Sequence, residues 1–373
     1  MSKVYPIFRI TPDRSIIKVG DLAVQFENSR VRQSQFRYKS SYLSSSDSME
    51  LCPVFAPLTN EVLDFKTPHL PGFIDDALPD AWGRSLIAVS LKSRYLSVEQ
   101  LLDNIRGSFT GDLLIGKPGL VSPEINDISS YNLSGIKDLE DLADKQWLDM
   151  ALTGAAGSGG ARPKLLTNDR LIKFNKASDK IDVCEAEHAC LELCLNSGLT
   201  DTPPSDIIRL GEHKCLSVER FDMSEQGGRY RLLTLNALLK QPGTNQDPYH
   251  CRYEDIADII RKHCVDPDKQ LRKLLTLALI NHEVKNTDDH LRNFSLINRG
   301  DGWALSPAYD IVPSAETGEY HQLTLSGKPY LVSLDDHEDA GEALGINSDS
   351  VATKVREGLD WYACETLANR SLR

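Results

Sequence analysis

Positive charge is in short supply in this chain: 42 lysines and arginines stand against 54 aspartates and glutamates, a formal net charge of −12. Affinity for nucleic acid rests mainly on phosphate contacts, so the chain alone is a poor nucleic-acid binder, and any DNA contact is expected to run through a partner. Long hydrophobic runs are missing as well. No stretch reaches the roughly 18–20 apolar residues of a membrane span, and the opening MSKVYPIFRITPDRS has no apolar h-region of a secretory signal. The expectation is a cytoplasmic protein that does not engage a membrane. The eight cysteines include no CxxC pair. Cys184, His188, Cys190 and Cys194 do cluster, yet the spacings of a tetrahedral zinc site are absent. CEAEHACLELCLNSGL has helical periodicity, and free cysteine behaves in such a helix as a small buried apolar residue.

What is present fits a folded globular protein. Of 373 residues, 40% are hydrophobic and 26% charged, enough chain for one large or two medium domains. Residues 1 to about 60 read as short strands, with a Gly-Asp turn in SIIKVGDLAVQFENS. Helices follow in FIDDALPDAWGRSLIAVSLK and SVEQLLDNI, the second with Ser97 as N-cap. FTGDLLIGKPG returns to strand, and DLEDLADKQWLDMAL reads as a helix. KLLTN and RLIKFN form a strand pair across an Asn-Asp turn. A cysteine-bearing helix spans about 184–197, and IIRLGEHKCLSVERF is a further strand pair. After about 230 the pattern is mostly helical, including one long helix over 263–284, with a hairpin around Arg299–Gly302. LVSLDDHEDAGE reads as a solvated loop. Trp82 is expected to pack in a core.

The chemistry concentrates in a few places. TGAAGSGGARPKLL puts Gly154, Gly157, Gly159 and Gly160 between a helix and a strand pair, where backbone amides can approach phosphate oxygens. It is not a P-loop, since no G-x-x-x-x-G-K-[ST] occurs; by itself it reads equally well as a linker. Lys164 and Arg162 add positive charge. Lys173 lies nine residues after Lys164 in the apolar strand RLIKF, where a lysine is usually an edge residue with its ammonium in water. Kinases hold nucleotide phosphates with a strand lysine that needs a helix carboxylate. Glu187 lies 14 residues on, with Glu185 as a neighbouring alternative. In TDDHLRNFSL, Asp288 and Asn293 have the D-x-x-x-x-N spacing of a kinase catalytic loop, and Asp310 follows 17 residues after Asn293 across the expected hairpin. Asp and Asn also favour caps and turns, but the ordered series is a poor product of chance. DFG and HRD are absent, which excludes an ordinary eukaryotic-type kinase.

These pieces resemble the HipA-like serine/threonine kinases of bacterial type II toxin–antitoxin systems. FIDDALPDAWGRSLI, GGARPKLL, RLIKF, EAEHACLELCLNSGL, LSVERFD, NTDDHLRNFSL and LSPAYDIVPS occur in the family's order from about residue 70 to 315. The resemblance implies an α+β, two-lobed protein-kinase-like fold with a small β-rich N-terminal subdomain and a mostly helical C-terminal lobe. The expected divisions are 1–120, 121–228 and 229–373. Residue by residue, it implies Asp288 as catalytic base and Asn293 and Asp310 as magnesium ligands. Lys173 would bind phosphate with Glu187 as its partner, and Lys164 would be the loop lysine. Glu219 and Phe221 would meet the adenine, Asp222 the ribose, and His290 would stand beside the phosphates. Gly157, Ser158, Gly159 and Gly160 would form the nucleotide loop. The best-known members carry an autophosphorylated serine just ahead of the loop glycine. Here Gly157 takes that place and Ser158 follows, so GSGGARPK marks a variant branch, with Ser158 as the autophosphorylation candidate.

The resemblance further implies ATP and Mg2+ as cofactors and a small helix-turn-helix, HipB-like antitoxin as partner. It also implies a protein substrate in translation, such as an aminoacyl-tRNA synthetase, and DNA contact only through the antitoxin. Two other classes share the same residues: a small-molecule kinase of this fold, and a nucleotide-binding regulator without transfer activity.

Overall fold

Alternation of apolar and polar side chains builds the N-terminal region. In the computed structural model, β1 (Ser2–Ile10), β2 (Ile16–Glu27) and β3 (Arg30–Tyr38) form antiparallel neighbours. With β4 (Leu63–Phe65) and β5 (Leu113–Ile115) they make a sheet of order β4-β3-β2-β1-β5. The turn expected at Gly20-Asp21 is not there: β2 runs straight through, pairing Gly20 with Tyr38 and Asp21 with Arg37. Glycine is needed for a different reason. A Cβ at Gly20 would come within 2.2 Å of the Arg37 carbonyl oxygen. The chain turns instead at Asn28 and Ser29, whose φ values of 50° and 61° match the hairpin turn that suits twisted strands.

The structure describes residues 2–105, 110–116, 133–136, 138–140, 147–148, 151–152, 160, 162–239, 251–314, 320–328 and 333–371, the last of these for backbone only from 364 onward. The expected helix in DLEDLADKQWLDMAL therefore lies largely outside the described residues. Two compact units interleave along the chain. One comprises Met1–Ser178, Ile208–Asn245 and Ile297–Gly300; the other comprises Asp179–Ile207, Gln246–Leu296 and Asp301–Arg373.

In the first unit, α1 (Ala81–Ser90) is capped by Asp80, and α2 (Val98–Asp103) by a Ser97–Gln100 capping box. A second sheet has the order β6-β7-β9-β8, from β6 (Lys164–Leu166), β7 (Arg170–Phe174), β8 (Ser205–Leu210) and β9 (His213–Glu219). Its core gathers Trp82, Leu86, Trp147, Leu165, Ile172, Phe174 and Cys215. Buried Asp112 is clamped between Arg9, 2.5 Å away, and Arg231, 3.3 Å away. Arg9 also donates to the Tyr42 hydroxyl.

The second unit is mainly helical. It contains α3 (Val183–Asn196), α4 (Tyr253–His263), α5 (Pro267–Glu283), α6 (His337–Ala343) and α7 (Asp349–Ser371). The long helix expected over 263–284 is divided: Asp266 is left-handed at φ 47°, and Pro267 restarts the helix at its first turn. The LVSLDDHEDAGE segment, expected as a loop, is helical from His337, with Ala340 and Gly341 buried. The expected hairpin joins β10 (Ser295–Asn298) to β11 (Trp303–Leu305) through Gly300 and Gly302, both at positive φ.

A Gly20→Ala substitution should destabilise the protein by about 1–3 kcal/mol through overpacking, read as a lower midpoint in denaturant unfolding. Gln25→Ala, at an exposed position on the same strand, should change it by less than about 0.5 kcal/mol.

Candidate active site

The phosphate-binding candidates of the first unit sit on β6 and β7. Lys164 pairs directly with Lys173, and facing residues of an antiparallel pair share one side of the sheet. Lys173 is half-buried. Lys164 is buried, and its Nζ donates to Asp80 Oδ2 at 2.7 Å with both side chains 3% exposed. The Lys164 ammonium thus faces a buried carboxylate. The other Asp80 oxygen accepts from the Gly83 amide at 2.8 Å. Trp82 donates its backbone N–H to the Gly160 carbonyl at 3.3 Å and its indole N–H to the Lys164 carbonyl at 3.2 Å. One helical turn, 80–82, therefore grips both ends of 160–164. Gly160 has φ +99°, and a Cβ there would meet Lys164 Nζ at 3.2 Å. Gly157, Ser158 and Gly159 lie outside the described residues.

Glu219 ends β9 exposed, opposite Arg170, and Phe221 is half-buried. Asp222 is buried in an ion pair. Arg220 holds it with two bonds, Nε to Oδ1 at 3.0 Å and Nη2 to Oδ2 at 2.7 Å, and the Gly111 amide donates to Oδ2 at 2.6 Å. Burial pushes this carboxyl's pKa up, but Arg220 outweighs it and the net shift is downward. Both oxygens are engaged and the residue is 3% exposed, so Asp222 ties Arg220 to the Gly111 backbone.

The second unit carries the acidic loop. On α3, Glu187 is buried while Glu185 is exposed; Glu187 shares its inner face with Cys184, Cys190 and Cys194, three, three and seven positions away. Burial pushes the Cys190 and Cys194 thiols up to about 12, which keeps them as neutral core side chains. Among the described residues no group of three or more His, Cys, Asp or Glu is arranged to hold a metal ion.

After α5 the chain turns through Asn286, whose side chain donates to Asn281 Oδ1 at 3.0 Å. Asp288 is exposed, and Gln322 Nε2 donates to its Oδ1 at 2.9 Å. Asn293 Nδ2 donates back to the Asp288 carbonyl at 2.9 Å, closing the loop on itself. The His290 N–H donates to the same carbonyl. His290 Nδ1 is buried with no hydrogen-bond partner among the described residues, a cost of about 1–3 kcal/mol that a ligand group would relieve. Asp310 is half-buried in the left-handed region at φ 58°. Its neighbour Tyr309 exchanges a 2.6 Å hydrogen bond with Ser295 and donates to the Arg292 carbonyl at 2.8 Å. Ser314 donates its N–H to the Lys285 carbonyl and accepts from the Thr287 amide. These bonds hold the Asp310 segment along the Asp288–Asn293 loop from both sides. An amide and a carboxylate are hard oxygen donors, which suits magnesium, an ion that keeps waters and phosphate oxygens around few protein ligands.

Asp289, next to the expected base, is the residue that spacing alone passes over. It is fully buried, accepts from Tyr253 at 3.1 Å and from the Gln322 amide at 2.9 Å, and lies 3.2 Å from His321 Nδ1, off hydrogen-bond geometry. Burial first, then the Asp289 charge, raises the Tyr253 hydroxyl far above its usual range, so it stays a donor. Asp80 was also missed. Its N-cap signal before AWGRS is legible, but its pairing with Lys164 is not.

Two family profiles match the sequence, one described as HipA-like C-terminal domain over residues 156–361 and one as HipA N-terminal domain over 17–115. The chain belongs to the HipA family. A solved structure of Shewanella oneidensis MR-1 HipA, in a complex with HipB and operator DNA, superposes with a TM-score of 0.70 at 17% identity, covering 97% of this chain and 91% of that one. At that identity the likeness speaks to fold: the architecture is the kinase-like HipA fold, mixed in helix and sheet, with a β-rich N-terminal region. A Haemophilus influenzae protein that carries the provisional description of a kinase is 26% identical over 204 residues. That match spans 46% of this chain and 59% of the relative, less than two thirds of its length. No helix among the described residues is long and apolar enough to cross a membrane.

Asp222→Asn should cost about 3–5 kcal/mol at neutral pH, because it strands a buried arginine. A carboxylate with a lowered folded pKa contributes stability above its unfolded value and loses it as pH falls through the folded one. Urea unfolding across pH should therefore show the gap to wild type narrowing below the ordinary carboxylate range.

Proposed function

We propose that this HipA-family protein is an ATP- and Mg2+-dependent protein serine/threonine kinase. The observation that carries the reading is the Asp288–Asn293 loop closed on itself, with the Asp310 segment pinned beside it through Tyr309 and Ser314. Phosphoryl transfer needs little covalent chemistry from a protein; positioning and charge neutralisation supply most of the rate. Asp288, exposed at the loop's start, would accept the proton of the attacking hydroxyl. Asn293 and Asp310 would hold magnesium, which when bound neutralises charge on the phosphate oxygens. His290, its buried Nδ1 lacking a partner among the described residues, would hydrogen-bond a phosphate group.

Lys173 and Gly160, with the loop residues Gly157, Ser158 and Gly159, would hold the phosphates, and Glu219 and Phe221 would meet the adenine. Glu187 as partner to Lys173 belongs to the same reading. The Asp80–Lys164 pair would act one step back, fixing the strand end from which the loop springs. Self-phosphorylation at Ser158 would add roughly −1.5 to −2 charges to that loop and oppose nucleotide binding. By analogy with the Shewanella complex, a HipB-like helix-turn-helix antitoxin is the proposed partner, with DNA reached through it. A protein of translation is the proposed substrate, and the cytoplasm the proposed location.

Incubation with Mg-ATP followed by intact and peptide mass spectrometry tests this. One added phosphate on the wild type, absent from Asp288→Asn, is the expected outcome, with Ser158 as the modified residue. Phosphate at another residue would keep the kinase and remove the Ser158 switch. Nucleotide binding without transfer to the chain or to a protein acceptor would overturn the protein-kinase reading.

A further inference from the structure

The segment 321–325 is tied to the acidic loop through Gln322 and His321. Gln322 engages both acids of the pair: its side-chain amide donates to Asp288 Oδ1 at 2.9 Å, and its backbone N–H donates to Asp289 Oδ1 at 2.9 Å. The backbone beneath it is itself fixed. Thr324 donates to the Cys251 carbonyl at 3.1 Å, and its own carbonyl accepts from the Tyr253 amide at 3.0 Å. Tyr253 also donates its hydroxyl to Asp289 and accepts from Asn281 at 3.4 Å. His321 lies against Asp289 and stacks on His282 with ring centroids 6.5 Å apart. A rigid base thus carries a single exposed side chain that reaches the exposed Asp288.

We infer that Gln322 is a positioning residue for Asp288, an inference that rests on the kinase reading above. The terminal torsion of an aspartate is broad and nearly two-fold, so the direction of a carboxylate is set by the donors that hold it. A donor fixed to a buried network removes that freedom by holding one oxygen, and hydrogen bonds to an ionised acceptor are about twice as strong as neutral ones. The amide nitrogen must face the carboxylate, since the opposite flip would set oxygen against oxygen. Glutamine suits the role because it donates without carrying charge: a lysine would bring a full positive charge to the base.

The test compares Gln322→Ala, Gln322→Asn and Gln322→Glu with wild type and with Asp288→Asn. The readout is the rate of phosphate transfer from Mg-ATP to casein, or to the chain itself, with the unfolding midpoint measured on each variant. Gln322→Ala should lower kcat by about 10- to 100-fold, the scale of a misplaced reacting group, while the KM for ATP and the unfolding midpoint stay unchanged. Gln322→Glu, which sets charge against charge, should fall at least as far, and Gln322→Asn, which keeps the donor, should recover part of the loss. A wild-type kcat in Gln322→Ala would overturn the inference. So would a raised one, which would mean that the amide stands where the acceptor hydroxyl belongs. A loss of kcat that tracks a lowered unfolding midpoint would make the role structural and overturn it as well. If the wild type transfers no phosphate, or Asp288→Asn transfers as fast as wild type, the kinase reading falls and this inference with it.

Discussion

A carboxylate taken out of water must find partners, and four aspartates organise this acidic chain on that condition. Asp112 draws in Arg9 and Arg231, Asp222 holds Arg220 and the Gly111 amide, Asp80 holds Lys164, and Asp289 collects Tyr253 and Gln322 with His321 alongside. Such pairs add little net stability compared with apolar packing, but removing one partner is costly, about 3–5 kcal/mol. What they secure is position. Each joins segments far apart in sequence, and two of them lie directly beneath candidate catalytic elements.

The acidic loop shows how position becomes chemistry. Asp288 and Asp289 are adjacent and have opposite surroundings: one is exposed and the other sealed. The sealed acid anchors the loop that carries the exposed one. Across the hairpin, Asp310 occupies a left-handed conformation that costs a non-glycine residue about 1–3 kcal/mol. Tyr309 and Ser314 on either side supply the bonds that hold it there.

Much of the fold was legible before the structure. The Ser97 capping box, the strand pairs around Lys164 and His213, the cysteine-bearing helix and the hairpin at Arg299–Gly302 all follow local rules of capping, alternation and turn chemistry. The failures share a cause. Gly20 looked like a turn because glycine often makes one, but the Arg37 carbonyl on a neighbouring strand is what demands it. The helix expected over 263–284 continued a periodic pattern past Pro267, which restarts the backbone. The acids around His337 looked solvated, but Ala340 and Gly341 give that stretch a buried side.

For the site, the sequence by itself determined the order and spacing of its parts: strand lysine, helix glutamate, D-x-x-x-x-N and the later aspartate. Those depend on residue type and local geometry, which neighbouring positions carry. Only the tertiary structure decided that Lys164 and Asp222 are buried in ion pairs, that Glu187 turns inward while Glu185 does not, and that Asp289 underlies Asp288. Burial of a charge depends on distant partners, 119 positions away in the case of Asp112 and Arg231, and no local pattern records where a distant arginine, lysine or tyrosine will arrive.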